Sequence, residues 1–161
     1  MIAQDRLMEV LEYSPETGVF TWTQRRRGVK VGEECGRISK AHGYREICVD
    51  GVLSRAHRLA FIYMTGNCPK YVDHINCVKT DNRWDNLRAC THSQNMVNTE
   101  LQADNTSGVK GVVWDKHRSK WRAQATIRGK KYNLGRYDDK GAAIEAYRRK
   151  MVEEHGDFFR E

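Results

Sequence analysis

The sequence predicts an α+β protein built from two small units, and three observations carry that expectation. Strand-like alternation of apolar and polar residues recurs in both halves of the 161-residue chain. A stretch dense in Asn, Asp and His lies between them. The charge is unevenly spread: residues 105–161 hold 14 Lys or Arg against 8 Asp or Glu, whereas residues 1–104 hold 14 against 13. A chain of this length makes one ordinary domain or two with modest cores. The basic surplus in the last third suits a polyanionic partner.

Taken in order, residues 1–66 open with an amphipathic helix from Gln4 to Leu11, with apolar positions at Leu7, Val10 and Leu11. Ser14-Pro15-Glu16-Thr17-Gly18 is a turn signal, and Val19–Trp22 follows as a strand. Arg25-Arg26-Arg27-Gly28 reads as a basic loop. Gly43 to Gly51 alternates like a hairpin strand ending in a turn, and Ala56 to Met64 reads as a packed helix closed by Thr65-Gly66. The next region, residues 69–98, crowds Asp81, Asn82, Asp85 and Asn86 into one short loop. Such side chains compete with regular backbone structure, so their density predicts a loop scaffold for polar chemistry. A polar linker is expected at residues 99–107. Beyond it, strands are expected at Val109–Asp115, Lys120–Ile127 and Lys131–Tyr137, with a turn at Arg128-Gly129-Lys130. Asp138 is the expected N-cap of a helix from Lys140 to Glu154, which completes a β-β-β-α unit.

The five cysteines are odd in number and form no C-x-x-C pair. That argues against a disulfide framework and a zinc knuckle, and for a reducing compartment. The N-terminus lacks the charged-then-apolar pattern of a signal peptide, and no apolar stretch approaches bilayer length. The expectation is a soluble cytoplasmic protein with no membrane partner. Whether it is a monomer or a homodimer is not fixed by sequence.

Asp73-His74 offers a carboxylate and an imidazole side by side. Metal-assisted phosphodiester hydrolysis needs a base for the attacking water and hard oxygen ligands for a divalent cation. On a regular strand adjacent side chains point to opposite faces, so cooperation requires a strand end or a bulge. Alone, the pair fits a polar loop with no chemistry better than it fits an active site, since short motifs match by accident.

The wider pattern runs Val72-Asp73-His74-Ile75-Asn76, then Asp81-Asn82-Arg83-Trp84-Asp85-Asn86-Leu87-Arg88, then Thr91-His92-Ser93-Gln94-Asn95-Met96-Val97-Asn98. It resembles the HNH endonucleases, in the H-N-N form common among phage homing endonucleases. Ala56-His57-Arg58-Leu59-Ala60 and the opening Tyr13 to Trp22 resemble the segments preceding that motif, so the likeness covers most of residues 10–98. The resemblance implies a ββα-metal core at about 69–98, within an endonuclease domain spanning 1–98 with a β-rich N-terminal extension. It implies His74 as general base, Asp73 and Asn95 as ligands of one Mg²⁺ (Mn²⁺ able to substitute, zinc not expected), and Asn86 fixing the loop and orienting His74. Asn98 is a weaker candidate for a phosphate contact, and Asn82 and Arg83 would brace the loop or touch the backbone. The family usually has Gly where this chain has Cys77. A turn needing positive φ there would cost about 1 kcal/mol. His57 is expected to pack in the core, and His42, His92, His117 and His155 to be surface or structural.

In the last third, Trp121, Ala123, Ala125 and Ile127 share one strand face, while Lys120, Arg122, Gln124 and Thr126 share the other. Tyr132 and Leu134 continue the inward side, Lys131 and Asn133 the outward one. A helix bearing Ala142, Ala143, Ala146 and Tyr147 can cover the apolar face. The opposite face pairs cations with planar hydrogen-bonding groups, which suits a DNA groove. Ser107-Gly108-Val109-Lys110-Gly111-Val112, Lys120-Trp121-Arg122-Ala123, Leu134-Gly135 and Ala142 to Tyr147 resemble the AP2 DNA-binding domain, here at 108–161. That likeness implies contacts to double-stranded DNA from Lys110, Lys116, Arg118, Arg122, Gln124, Lys131, Asn133 and Arg136. Trp114 suits either the sugar-phosphate backbone or the core; Trp121 and Tyr137 are expected inside. The function expected is therefore metal-dependent cleavage of double-stranded DNA. A catalytically silent, sequence-specific DNA-binding protein is the alternative.

Overall fold

Leu7 and Val10 fall on one side of helix α1 (Gln4–Val10) and are fully buried. The helix stops one residue sooner than the apolar pattern suggests. Leu11 is already extended, at φ −131° and ψ 144°, and pairs with Trp22. It opens strand β1 (Leu11–Ser14), which forms an antiparallel hairpin with β2 (Val19–Trp22). The connecting turn needs Gly18 twice over. Its φ is +73°, and a Cβ there would stand 2.4 Å from the backbone of Asn82 and Arg83. Trp84 N–H donates to the Pro15 carbonyl at 2.9 Å, so this turn and the polar loop are laid against each other.

The computed structural model describes residues 2–26, 28–98, 105 and 107–159. Most of the expected linker, residues 99–104 and 106, lies outside these, as does Arg27. The chain divides into two units, Met1–Cys90 and Thr91–Glu161. In the first, β3 (Arg37–Ile38), β4 (Arg45–Val49) and β5 (Val52–Arg55) form an antiparallel sheet in that order. Asp50 and Gly51 both have positive φ, 50° and 81°, as a tight primed hairpin turn requires. Helix α2 (Ala56–Thr65) follows directly and ends on Gly66 in the left-handed conformation. Its Leu59, Ala60, Phe61 and Ile62 join Leu7, Phe20, Ile47 and Val49 in one core. Burying each large apolar side chain contributes roughly 1.5–3 kcal/mol. Strands β6 (Tyr71–His74) and β7 (Leu87–Cys90) then pair antiparallel, separated by the polar loop and a short 3₁₀ turn at Trp84–Asn86.

The second unit begins with helix α3 (His92–Val97), started by a capping box. Thr91 Oγ1 accepts from Gln94 N–H, and Gln94 Oε1 accepts from Thr91 N–H at 2.8 Å. Strands β8 (Val112–Asp115), β9 (Lys120–Ile127) and β10 (Lys130–Tyr137) form an antiparallel sheet with β9 central. Helix α4 (Lys140–His155) buries Ala143, Tyr147 and Met151 with Val112, Ala123, Ala125 and Ile127. Two expectations need correcting. The N-cap of α4 is Asp139, whose carboxylate accepts from Ala142 N–H at 2.8 Å; Asp138 pairs with Lys120 instead. Strand β8 starts at Val112 and not at Val109, because Gly108 and Gly111 both have positive φ. At Gly111 a Cβ would fall 2.3 Å from Gln124 O and the Tyr147 ring. All five cysteines are free thiols, and no described helix is long and apolar enough to cross a membrane.

Candidate active site

His74 is the last residue of β6, so Asp73 and His74 sit at the strand end that cooperation between neighbours requires. Both are buried. Asp73 lies opposite Arg88 in the β6–β7 register. The guanidinium meets the Asp73 carboxylate at 2.9 and 3.0 Å, both contacts falling on Oδ2. The chain then turns sharply: Cys77 N–H donates to the His74 carbonyl at 2.9 Å, and Cys77 has φ +63°. The position where the sequence shows Cys in place of Gly is thus a left-handed one. For a residue with a Cβ that conformation costs about 1–2 kcal/mol.

The loop after the turn is held by its own amides. Asn86 is buried; its Oδ1 accepts from Asn76 N–H at 3.0 Å, and its Nδ2 donates to Asn76 Oδ1 and to the Asp81 carbonyl. The Asn86 carbonyl accepts from Ile75 N–H at 2.9 Å, one residue beyond His74. Asp81 accepts from Asn76 Nδ2 at 2.7 Å and from Arg83, and that guanidinium holds its carboxyl down at about 2.

Asn82, expected to brace the loop or touch the backbone, reaches the His74 ring. Its Oδ1 lies 3.1 Å from His74 Nε2, and the residue is 2% exposed. Asn82 Nδ2 donates to the Thr80 carbonyl at 3.2 Å, which fixes which end of the amide faces His74. An acceptor at Nε2 places the proton on that nitrogen and the lone pair of the neutral ring on Nδ1. Asn82 is itself anchored from the N-terminal hairpin, because its carbonyl accepts from the buried Tyr13 hydroxyl at 2.6 Å. Burial lowers the His74 pKa from the ordinary histidine value, with the Asn82 contact acting in the opposite sense. The ring is therefore neutral near pH 7.

His57 is buried, as expected, but its ring also meets His74 edge-on, with centroids 5.0 Å apart. The Tyr44 ring lies 5.0 Å from His57 and 6.0 Å from His74. Burial, with His74 next, pushes the His57 pKa down to about 3, and its buried Nδ1 has no hydrogen-bond partner. No spacing in the sequence links Tyr44 to this site; it arrives through the β3–β4 connection. Asn95 lies on α3, and Asn98, buried, caps the end of that helix; both belong to the second unit. Among the described residues no group of three or more His, Cys, Asp and Glu side chains could hold a metal.

On the second unit's sheet, Arg122, Gln124, Lys131, Asn133 and Arg136 come from adjacent strands onto one face. Arg122 stands opposite Arg136, and Gln124 opposite Asn133. Lys116 and Arg118 are in the exposed β8–β9 turn. Lys110 precedes β8, and its Nζ donates to the Val97 carbonyl at 2.8 Å. Asp115 takes Arg136 at 3.1 Å and Arg118 at 3.7 Å. Trp114 is 43% exposed with its ring against Trp121, while Trp121 and Tyr137 are half-buried. A cleft of about 940 Å³ in the same unit, lined by Met96, Tyr147, Met151 and His155 among others, involves none of residues 73–86.

A family model described as HNH endonuclease matches residues 54–97, from the end of β5 through α3. The chain is also 35% identical over 108 residues to Protein 3.8 of Escherichia phage T7, an alignment covering 66% of this chain and 88% of that one. No solved structure matches. The buried Asp-His pair on β6, the amide-braced loop and these two likenesses agree: the chain carries an HNH endonuclease domain at residues 54–97 and belongs to the same family as Protein 3.8 of phage T7.

Proposed function

We propose that this chain is a Mg²⁺-dependent DNA endonuclease of the homing type, in which His74 is the general base and the second unit is an AP2-like domain for double-stranded DNA. The observation that carries the reading is a buried, neutral imidazole at a strand end beside a carboxylate, with its ring fixed by Asn82. Asp73 and Asn95 would hold the cation. Their oxygens suit a hard ion, and the guanidinium beside Asp73 contacts Oδ2. When bound, Mg²⁺ neutralises charge on the scissile phosphate and stabilises the departing oxygen. His74 accepts the proton of the attacking water at Nδ1, since Asn82 keeps the other ring proton on Nε2. Asn86 ties Ile75 and Asn76 into the loop, which limits how far the His74 backbone can drift. In the second unit, Arg136 is paired with Asp115, while the Arg122 opposite it has a buried Nε with no hydrogen-bond partner, which supports phosphate binding on that face.

The test is supercoiled plasmid incubated with Mg²⁺ or Mn²⁺, with and without chelator. Wild type should nick or linearise it only with the metal. His74→Ala should be slower by about 10²–10⁴-fold, the contribution of a general base. Full cleavage by His74→Ala would remove that residue from its role. One observation favours a second reading, a catalytically silent DNA-binding protein: the left-handed Cys77 is three residues from His74 and bonded to its carbonyl. That reading expects a metal-independent, salt-sensitive gel shift with no cleavage under any divalent ion, and recovery of cleavage in Cys77→Gly if the turn is the cause.

A further inference from the structure

Tyr44, Arg55 and Lys79 come from three separate segments: the connection into β4, the end of β5, and the loop after β6. The fold brings them together. The Arg55 guanidinium carbon lies 4.6 Å from the Tyr44 ring centre, and Lys79 Nζ lies 5.3 Å from it. The same ring stands 6.0 Å from His74. Lys79 Nζ is steadied by the His42 carbonyl at 3.2 Å.

Five arginines of this unit have acid partners, whereas Arg25, Arg37 and Arg58, like Arg55, meet no carboxylate among the described residues. Arg6, Arg26, Arg45, Arg83 and Arg88 each meet a carboxylate within 4 Å. Among the described residues Arg55 and Lys79 meet none. Helix α2 begins directly after Arg55 with no acidic residue in its first turn, so its partial positive end is uncompensated as well. His57, in edge contact with Tyr44, keeps a buried Nδ1 with no hydrogen-bond partner. Two cations gathered on one ring without a counter-ion make a place for an anion.

We infer that Tyr44, Arg55 and Lys79 form a subsite for one backbone phosphate of the DNA strand, one ring away from His74. The identity of the anion rests on the nuclease reading above; the gathering of unpaired cations does not. Arg55 and Lys79 supply the charge, and the flat face of Tyr44 lies along the neighbouring sugar.

The experiment is the salt dependence of binding of a short fluorescent DNA duplex to the full chain, with chelator present so that nothing is cut. A phosphate contact contributes a slope of about −0.9 in log affinity against log salt. The double variant Arg55→Ala/Lys79→Ala should flatten the wild-type slope by about 0.9. Its affinity should fall about eightfold at 0.1 M salt and approach wild type near 1 M. Each single variant should show part of this, and Arg55→Lys should restore the slope. Tyr44→Ala should weaken binding with the slope unchanged, since it carries no charge. Arg6→Ala, whose guanidinium is already paired with Asp50 and Glu9, is the control that should change nothing. A double variant with the wild-type slope overturns the subsite, whatever the plasmid assay shows. Lys79→Gln, at an exposed position, decides the matter in the same way if Arg55→Ala folds poorly. Loss of the slope in a protein that cuts nothing leaves the subsite standing and fails the nuclease reading instead.

Discussion

Replacing Asn82 by Ala should slow cleavage through His74 without touching the DNA. The substitution removes the acceptor 3.1 Å from His74 Nε2 and the donor to the Thr80 carbonyl, at a site 2% exposed. A buried donor left without its acceptor costs about 1–3 kcal/mol. Where that loss falls on the base's orientation and tautomer, kcat drops by roughly 5- to 150-fold. KM should stay nearly constant, because Asn82 has no exposed surface to offer a substrate. Plasmid nicking at saturating Mg²⁺ separates the two constants, and ¹⁵N shifts of the His74 ring report the tautomer directly. Asn82→Asp sharpens the case. A carboxylate at the same place raises the His74 pKa, so the neutral base is depleted near pH 7 and the rate recovers as pH rises. Asn82→Ala with a kcat within twofold of wild type and an unchanged His74 spectrum would refute the reasoning.

Three further outcomes follow from the same geometry. His57 has a folded pKa of about 3 against an unfolded 6.5, so the unfolded chain binds the extra proton. The stability it contributes is complete above pH 6.5 and is lost as pH falls toward 3, about 2 kcal/mol being gone at pH 5. Hydrogen exchange of the α2 amides across that range should show this loss, and His57→Phe should flatten it. Gly18→Ala should destabilise the first unit by about 3 kcal/mol, from the positive φ and the collision with the Asn82–Arg83 backbone, and should lower kcat through Asn82; denaturant unfolding beside the nicking assay checks both. Arg122→Leu should weaken duplex binding by about 1–3 kcal/mol while raising thermal stability, since its Nε is buried without a partner and it opposes Arg136.

Much of the local structure is legible in the sequence because single residues decide it. Asp50-Gly51 and Arg128-Gly129 declare their turns, Gly66 ends α2, and the alternation from Lys120 to Ile127 gives β9 to the residue. Boundaries fail where a neighbour in space decides. Leu11 is helical by pattern and extended in fact, because Trp22 pairs with it. Asp138 and Asp139 are equal as caps in sequence, and only the approach of Lys120 separates them. In the site, Asp73, His74 and Asn86 stand out by motif. Asn82 reads in sequence as one more amide in a polar loop. Its contact with His74 depends on the backbone turn at Cys77 and on Tyr13, 69 residues earlier, holding its carbonyl. Tyr44 and Arg55 carry no local mark at all, since their meeting is a product of the sheet.

Several departures from ordinary packing rules gather around His74. They are a non-glycine residue in the left-handed region, a buried histidine nitrogen without a partner, and two cations lacking acids. In the second unit a further group lies on the strand face where Arg122 opposes Arg136. The left-handed turn and the unsatisfied buried nitrogens cost stability in the free protein, and substitution would remove them: Gly for Cys77, an apolar residue for Arg122. A polar loop with no chemistry would have no reason to gather the costs in this way. An anion over Tyr44, Arg55 and Lys79, or one over Arg122, would offset the charge among these features, while the left-handed turn at Cys77 is a backbone cost that no ligand relieves. On the nuclease proposal, the cations on Tyr44 and the buried Arg122 Nε are the groups through which DNA binding would recover free energy.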